Sequence, residues 1–259
     1  MGHRFYDDLA AFYHLIYPDW EASIAAQAQS LDAIIRRCWG EHTRRILDVS
    51  CGIGTQCLGL AALGYRVTGS DVSEKAVARA RREAGKRGLG IALSVCDMRE
   101  VYALHASSFD VVLCADNSIT HLQSDEEILA ALASMRRCLR PGGGCLITVR
   151  AYDQETRGTA VVKPHGVREE AGTRYLLWQV WDFTGEHYDL TLYVVEDDGV
   201  SAQAKTHVMR SRYYAIAPDR IAALMAEAGF DRVERLDEMF FQPVLAGTRA
   251  AQNRDREPV

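Results

Sequence analysis

Three short stretches of this 259-residue chain carry side chains suited to holding a nucleoside. The first is Asp48-Val49-Ser50-Cys51-Gly52-Ile53-Gly54-Thr55, placed where a buried strand turns into a helix. Glycines there let the backbone approach a ligand, and a helix start offers free N–H groups and a positive dipole end. The second is Asp71, at the end of the next extended segment, where a carboxylate can hydrogen-bond both hydroxyls of a ribose. The third is Asp97-Met98, after the third segment, where a carboxylate can accept from the exocyclic amine of adenine and a backbone N–H can face a ring nitrogen. Each alone has an ordinary alternative: a tight turn, a helix cap, a loop acid. Together they fall on three successive strand ends along one edge, where open α/β sheets bind their ligands.

The elements that must position them alternate. Extended segments at 45–50, 65–70, 91–96, 109–115 and 145–150 are separated by helical periodicity at 55–63, from Ser73 to about Lys86, and at 125–139 with Ser124 as cap. Pro141-Gly142-Gly143-Gly144 reads as a breaker before the fifth strand. This rhythm predicts an α/β fold: a seven-stranded, mostly parallel sheet with helices on both faces, completed by a helix at 218–228 and strands near 232–236 and 241–247. Ahead of it, Pro18-Asp19 starts a helix whose apolar positions run from Ile24 to Cys38. Between 173 and 216 the pattern changes to three extended runs separated by Thr184-Gly185 and Asp198-Gly199, an antiparallel insertion. The expected organisation is a helical cap over 1–43, a ligand-binding core over 44–150, the insertion over 151–217, the rest of the core over 218–249 and a flexible tail over 250–259.

Composition excludes several classes. A formal charge of −5, 48% apolar and 25% charged residues describe a globular chain, with no basic run to hold nucleic acid. No apolar run approaches the roughly 20 residues of a membrane span, and MGHRFYDDLA is unlike a signal peptide. The seven cysteines are scattered without a C-x-x-C pair, and the eight histidines are dispersed. We therefore expect reduced thiols, a cytoplasmic protein and no metal site. A homo-oligomer is left open.

The strings LDVSCGIGTQ, GSDVS, CDM and RPGGG together resemble class I S-adenosylmethionine-dependent methyltransferases, over roughly Asp7 to Gly247. Within that family, FDVVLCADNSITHL, ITVRAYD and SRYYAI are similar to segments of glycine and glycine/sarcosine N-methyltransferases, which also carry an antiparallel insertion at this place. The resemblance implies a Rossmann-like core, S-adenosylmethionine as methyl donor and a small-molecule acceptor under the insertion as lid. It implies that Ser50, Gly52 and Gly54 cradle the methionine moiety, that Asp71 holds the ribose with Val72 on the adenine, and that Asp97 and Met98 read the adenine edge. Cys114 joins this set, with Tyr17 and Trp20 of the N-terminal segment over the donor. Asp116, Asn117 and His121 would line the reaction pocket, and Arg150, Tyr213 and Tyr214 would hold the acceptor. One position departs: the family's glycine before Asn-Ser is Asp116 here, which puts glycine itself in doubt and favours a cationic or amine-bearing acceptor. N-methylation of an amino acid or small amine by direct transfer leads, with O-methylation of a small metabolite as the alternative within the class. An NAD-type oxidoreductase stays open on Gly52-x-Gly54, although Cys57 stands where its third glycine belongs, as does a non-catalytic protein that binds S-adenosylmethionine.

Overall fold

The computed structural model describes residues 2–106 and 108–251. The chain begins with α1 (Gly2–Leu9), a 3₁₀ turn at Tyr13–Ile16 and α2 (Trp20–Trp39), where Asp19 caps the helix by accepting from the Ala22 N–H at 3.0 Å. The alternating part follows as β1 (Arg45–Asp48), α3 (Thr55–Ala62), β2 (Arg66–Asp71), α4 (Glu74–Lys86), β3 (Ala92–Val95), α5 (Val101–His105) and β4 (Phe109–Cys114). After a 3₁₀ turn at Ser118–His121 come α6 (Asp125–Cys138) and β5 (Leu139–Thr148). Four long strands, β6 (Val161–Glu170), β7 (Thr173–Thr184), β8 (His187–Asp197) and β9 (Lys205–Tyr214), precede α7 (Pro218–Glu227), β10 (Phe230–Leu236) and β11 (Val244–Arg249).

The main sheet has the order β3-β2-β1-β4-β5-β11-β10, with β11 antiparallel to both neighbours and the rest parallel. The chain reverses direction across the sheet between β1 and β4, where such folds open a ligand crevice. All six residues of β4 are buried, as central parallel strands require. On one face Leu31, Ile34 and Ile35 of α2 pack against Ile46, Val111, Leu113 and Leu146. On the other, helix α6 and the inner face of the second sheet share one cluster with Leu47, Val49 and Cys114.

Two expectations need correcting. The Pro141–Gly144 breaker lies inside β5. Leu139 pairs with Phe109 and Gly144 with Val111, so residues 140–143 form a bulge. A Cβ at Gly144 would run into the Trp39 indole, which closes over the strand there. The insertion has four strands, in the order β6-β7-β8-β9. The extra one, VVKPHGVREE, is an edge strand whose Pro164 and Gly166 sit at a register shift. The five-residue α5 carries too little periodicity to read. The flexible tail expected over 250–259 lies, from residue 252, outside the described residues. Among those described, no helix is long and apolar enough to cross a membrane.

Candidate active site

The glycine loop is shaped by two carboxylates. Asp48, fully buried at the end of β1, accepts the Ser50 N–H at 3.1 Å and the Cys57 thiol at 3.3 Å, and burial pushes its carboxyl up to about 7. Gly52 and Gly54 take φ of +51° and +100°, a region that favours glycine, and Gly54 leads into α3. Asp71 then accepts the Gly52 N–H at 2.9 Å on one oxygen and the Ser73 N–H at 2.8 Å on the other. Burial pushes Asp71 up, against the pull of those two donors.

Above this loop lies a cavity of ≈ 360 Å³. Ser50, Gly52, Asp71, Val72, Asp97, Met98 and His121 line it. Its lining suits an adenosyl group: apolar Val72 and Met98, carboxylates at Asp71 and Asp97, and the buried Gln123 Oε1, which has no hydrogen-bond partner among the described residues. Burial raises the Asp97 carboxyl, but Arg99 outweighs it through its side chain and its N–H, the latter at 2.8 Å, so the carboxyl stays below its ordinary range. Arg99 also reaches Glu127 at 2.8 Å.

A second cavity of ≈ 90 Å³ adjoins it, lined by Asp116, Asn117, Arg150, His165, Gln179, Tyr188 and Tyr213, among others. Tyr6 and Tyr13 line both cavities and so form their shared wall. Asp116 and Asn117 have φ of 53° and 66°, which turns the chain sharply after β4. The Asp116 carboxylate accepts from Tyr17 at 3.0 Å, Tyr13 at 3.4 Å and the Gln242 amide at 3.2 Å. Burial pushes it up, while Tyr17, Arg150, Tyr13 and Gln242 draw it down; the net shift is upward. Asn117 is bound on both sides, donating to the Tyr152 hydroxyl at 2.7 Å and accepting the Arg150 N–H at 3.1 Å. Arg150 lies over the Trp181 ring at 4.8 Å, with Glu155 at 3.7 Å. Its buried Nε and the buried Nε2 of His165 have no hydrogen-bond partner among the described residues. His121 is held between the Tyr6 hydroxyl at 2.7 Å and Ser211 Oγ at 3.4 Å, with its ring against Tyr213 at 4.2 Å. Burial pushes His121 down to about 3, so it is neutral.

Other expected residues stand outside both linings. Gly54 serves the helix start. Trp20 donates to Thr55 Oγ1 at 2.9 Å and lies beneath Arg79 and Arg87. Cys114 is fully buried, 3.7 Å from Ser50 Oγ. Tyr17 meets Asp116 rather than the larger cavity. Tyr214 points to the opposite side of β9 from Tyr213 and donates to Asp125 at 3.0 Å. Sequence reasoning missed Tyr6, Tyr13, His165 and Gln242. Tyr6 lies on α1, Tyr13 on the 3₁₀ turn and Tyr17 just after it, so no single helical period marks the three. Nothing local marks Gln242.

The methyltransferase domain family matches residues 46–143, the stretch that builds both the glycine loop and the strand ends around it. A glycine/sarcosine N-methyltransferase of Parasynechococcus marenigrum is 29% identical over 219 residues, 83% of this chain and 72% of that protein. A ubiquinone biosynthesis O-methyltransferase of Aromatoleum aromaticum is 32% identical over 148 residues, 55% of this chain; the chain spans about half (56%) of that relative's length. The fold matches an amino pentose methyltransferase from Micromonospora echinaspora, solved with bound S-adenosylmethionine, at a TM-score of 0.76 and 21% identity, over 93% of this chain and 95% of that one. The nucleoside-suited strand ends, the domain match and these similarities agree: residues 46–143 form a methyltransferase domain, and the chain is similar to S-adenosylmethionine-dependent methyltransferases.

Proposed function

We propose that this enzyme N-methylates a small amine, an amino acid or a compact aminated metabolite, with S-adenosylmethionine in the larger cavity and the acceptor in the smaller. The observation that carries this reading is Asp116. An acid stands at the rim of the acceptor cavity, and every group that bonds its side chain there is a donor. Related proteins support an amine too, through the glycine/sarcosine and amino pentose acceptors their names give.

The donor supplies a methyl group already activated by a sulfonium. The chain's own work is placement, with reacting atoms brought within about 3–3.5 Å in line. Ser50 and Gly52 would hold the methionine part, Asp71 the ribose, and Val72, Asp97 and Met98 the adenine. Asp116 accepts an N–H from the acceptor, which turns the nitrogen lone pair away from the carboxylate, and it takes up the proton the amine gives off. Arg150 meets a carboxylate where the acceptor has one. Tyr6 and Tyr13 keep water from the path between the cavities. The insertion over 151–217 acts as the acceptor lid and the segment over 1–43 as the donor cap. A hydroxyl acceptor needs a stronger base than His121, which is neutral and pushed down to about 3.

The test is S-adenosylhomocysteine release from a panel holding glycine, sarcosine, an amino sugar and a catechol. Turnover on an amine, with kcat/KM reduced at least tenfold in Asp116→Asn, is expected. Turnover confined to the catechol would overturn the reading in favour of O-methylation.

A further inference from the structure

Gln242 lies far along the chain from the site, in the loop between β10 and β11, yet it is buried against it. Its place is fixed by counting donors. The Asp116 N–H donates to Thr148 Oγ1 at 2.8 Å. A hydroxyl has one proton to give, and Thr148 gives it to Gln242 Oε1 at 3.0 Å. The ionised Asp116 carboxylate can only accept, so the amide turns its NH₂ to it, 3.2 Å away, and its oxygen to Thr148. The three bonds close a ring through one loop, its own backbone N–H and its own carboxylate. Thr148 is fully buried and Gln242 nearly so.

We propose that Gln242 is a positioning residue, oriented by Thr148, that holds the Asp116 carboxylate as an ionised acceptor at the rim of the smaller cavity. The inference rests on the proposed role of Asp116 and adds the device that maintains it. The other groups facing that carboxylate are Tyr13 and Tyr17 from the N-terminal segment, Arg150 after β5 and Tyr213 from β9. None of their side chains accepts from the Asp116 backbone N–H, as the Thr148 hydroxyl that orients Gln242 does.

The experiment compares the acid limb of kcat/KM against pH, on the amine that wild type methylates, in Gln242→Met, Thr148→Val and Thr148→Ser. Gln242→Met keeps bulk and removes the donor, so the Asp116 carboxyl rises and the limb moves to higher pH by about one unit, the worth of one hydrogen bond to a charged group. Thr148→Val frees the amide to turn over and shifts the limb the same way, while Thr148→Ser restores it. An unmoved limb in a Gln242→Met protein that melts like wild type overturns the proposal. Should Gln242→Met not fold, the Asp116 carboxyl ¹³C titration, assigned against Asp116→Asn, is compared in wild type, Thr148→Val and Thr148→Ser: an upward shift in Thr148→Val that Thr148→Ser does not show supports the ring, and equal titrations in all three overturn it. An acid limb that persists in Asp116→Asn is a separate outcome: it removes Asp116 from the chemistry, and with it the proposed function.

Discussion

Removing the Asp71 carboxylate separates the loop's fold from its ligand. Each ionised carboxylate oxygen has room for about two hydrogen bonds. One on each is already taken, by the N–H groups of Gly52 and Ser73. The remaining capacity matches two ribose hydroxyls. Two bonds to a charged acceptor, at about 1.5–3 kcal/mol each, are worth about 3–6 kcal/mol, so Asp71→Ala weakens S-adenosylhomocysteine roughly 10²–10⁴-fold. The substitution also strands two backbone donors, at about 1 kcal/mol each beside a cavity that admits water, which lowers Tm by about 4–8 °C for a chain of this size. Titration calorimetry reads the first effect and thermal melts the second. The melts carry an internal check. Ligand at about a thousand times the wild-type Kd stabilises wild type by about 4 kcal/mol, but a variant weakened a hundredfold by only about 1.4 kcal/mol. Asp71→Asn, which keeps one acceptor oxygen, falls between. A folded Asp71→Ala that binds S-adenosylhomocysteine within about threefold of wild type refutes the assignment.

Asp48 makes stability depend on pH. Its folded value of about 7 lies above the ordinary 3.9, so the folded state holds the extra proton and stability is lost as pH rises from about 4 through about 7, by at most about 1.4 kcal/mol per unit. Asp48→Asn flattens that slope in denaturant melts at pH 5 and 8, and an unchanged slope rejects it. Arg150→Met raises KM about tenfold or more for acceptors bearing a carboxylate and spares methylamine; equal effects on both place the guanidinium elsewhere. Tyr6→Phe strands the buried His121 ring nitrogen and costs about 1–2 kcal/mol, with faster proteolytic cleavage before Trp20. Unchanged melting and cleavage would show that this hydroxyl does not tie down the N-terminal segment.

The central strands were legible because both faces are buried, so β1 and β4 read as apolar runs without needing a partner. Asp71 and Asp97 were read from their places after β2 and β3, along the edge where open α/β sheets bind ligands. What failed to show depends on contacts distant in the chain. Residues 140–143 look like a terminator until Trp39 is seen covering Gly144. Strand β6 hides behind Pro164 and Gly166, tolerated because it is an edge. Tyr213 and Tyr214 are alike in sequence, and only the period of two along β9 sends one to the smaller cavity and the other to Asp125. Gln242 sits in an irregular loop, and its role exists only through Thr148, 94 residues earlier.

The N-terminal segment joins these parts. Asp7 accepts from Ser73 Oγ at 2.6 Å, and Arg79 donates to the Ala10 and Ala11 carbonyls at 2.6 and 2.9 Å, which moors the segment to the core beside Asp71. Arg168 of β6 donates to the Tyr17 carbonyl at 2.9 Å, which moors its other end to the insertion. The exposed pair His14–Glu170 adds little to this. Charged donors on carbonyls are worth more, about 1.5–3 kcal/mol each, yet few enough that the segment can open on the timescale of a lid. Along this segment Tyr6, Tyr13 and Tyr17 reach inward, to His121 and Asp116. Because Tyr6 and Tyr13 wall both cavities, the segment cannot move at one without reshaping the other. On the proposed roles, one closure therefore excludes water, completes the donors on Asp116 and sets the line along which the methyl group moves.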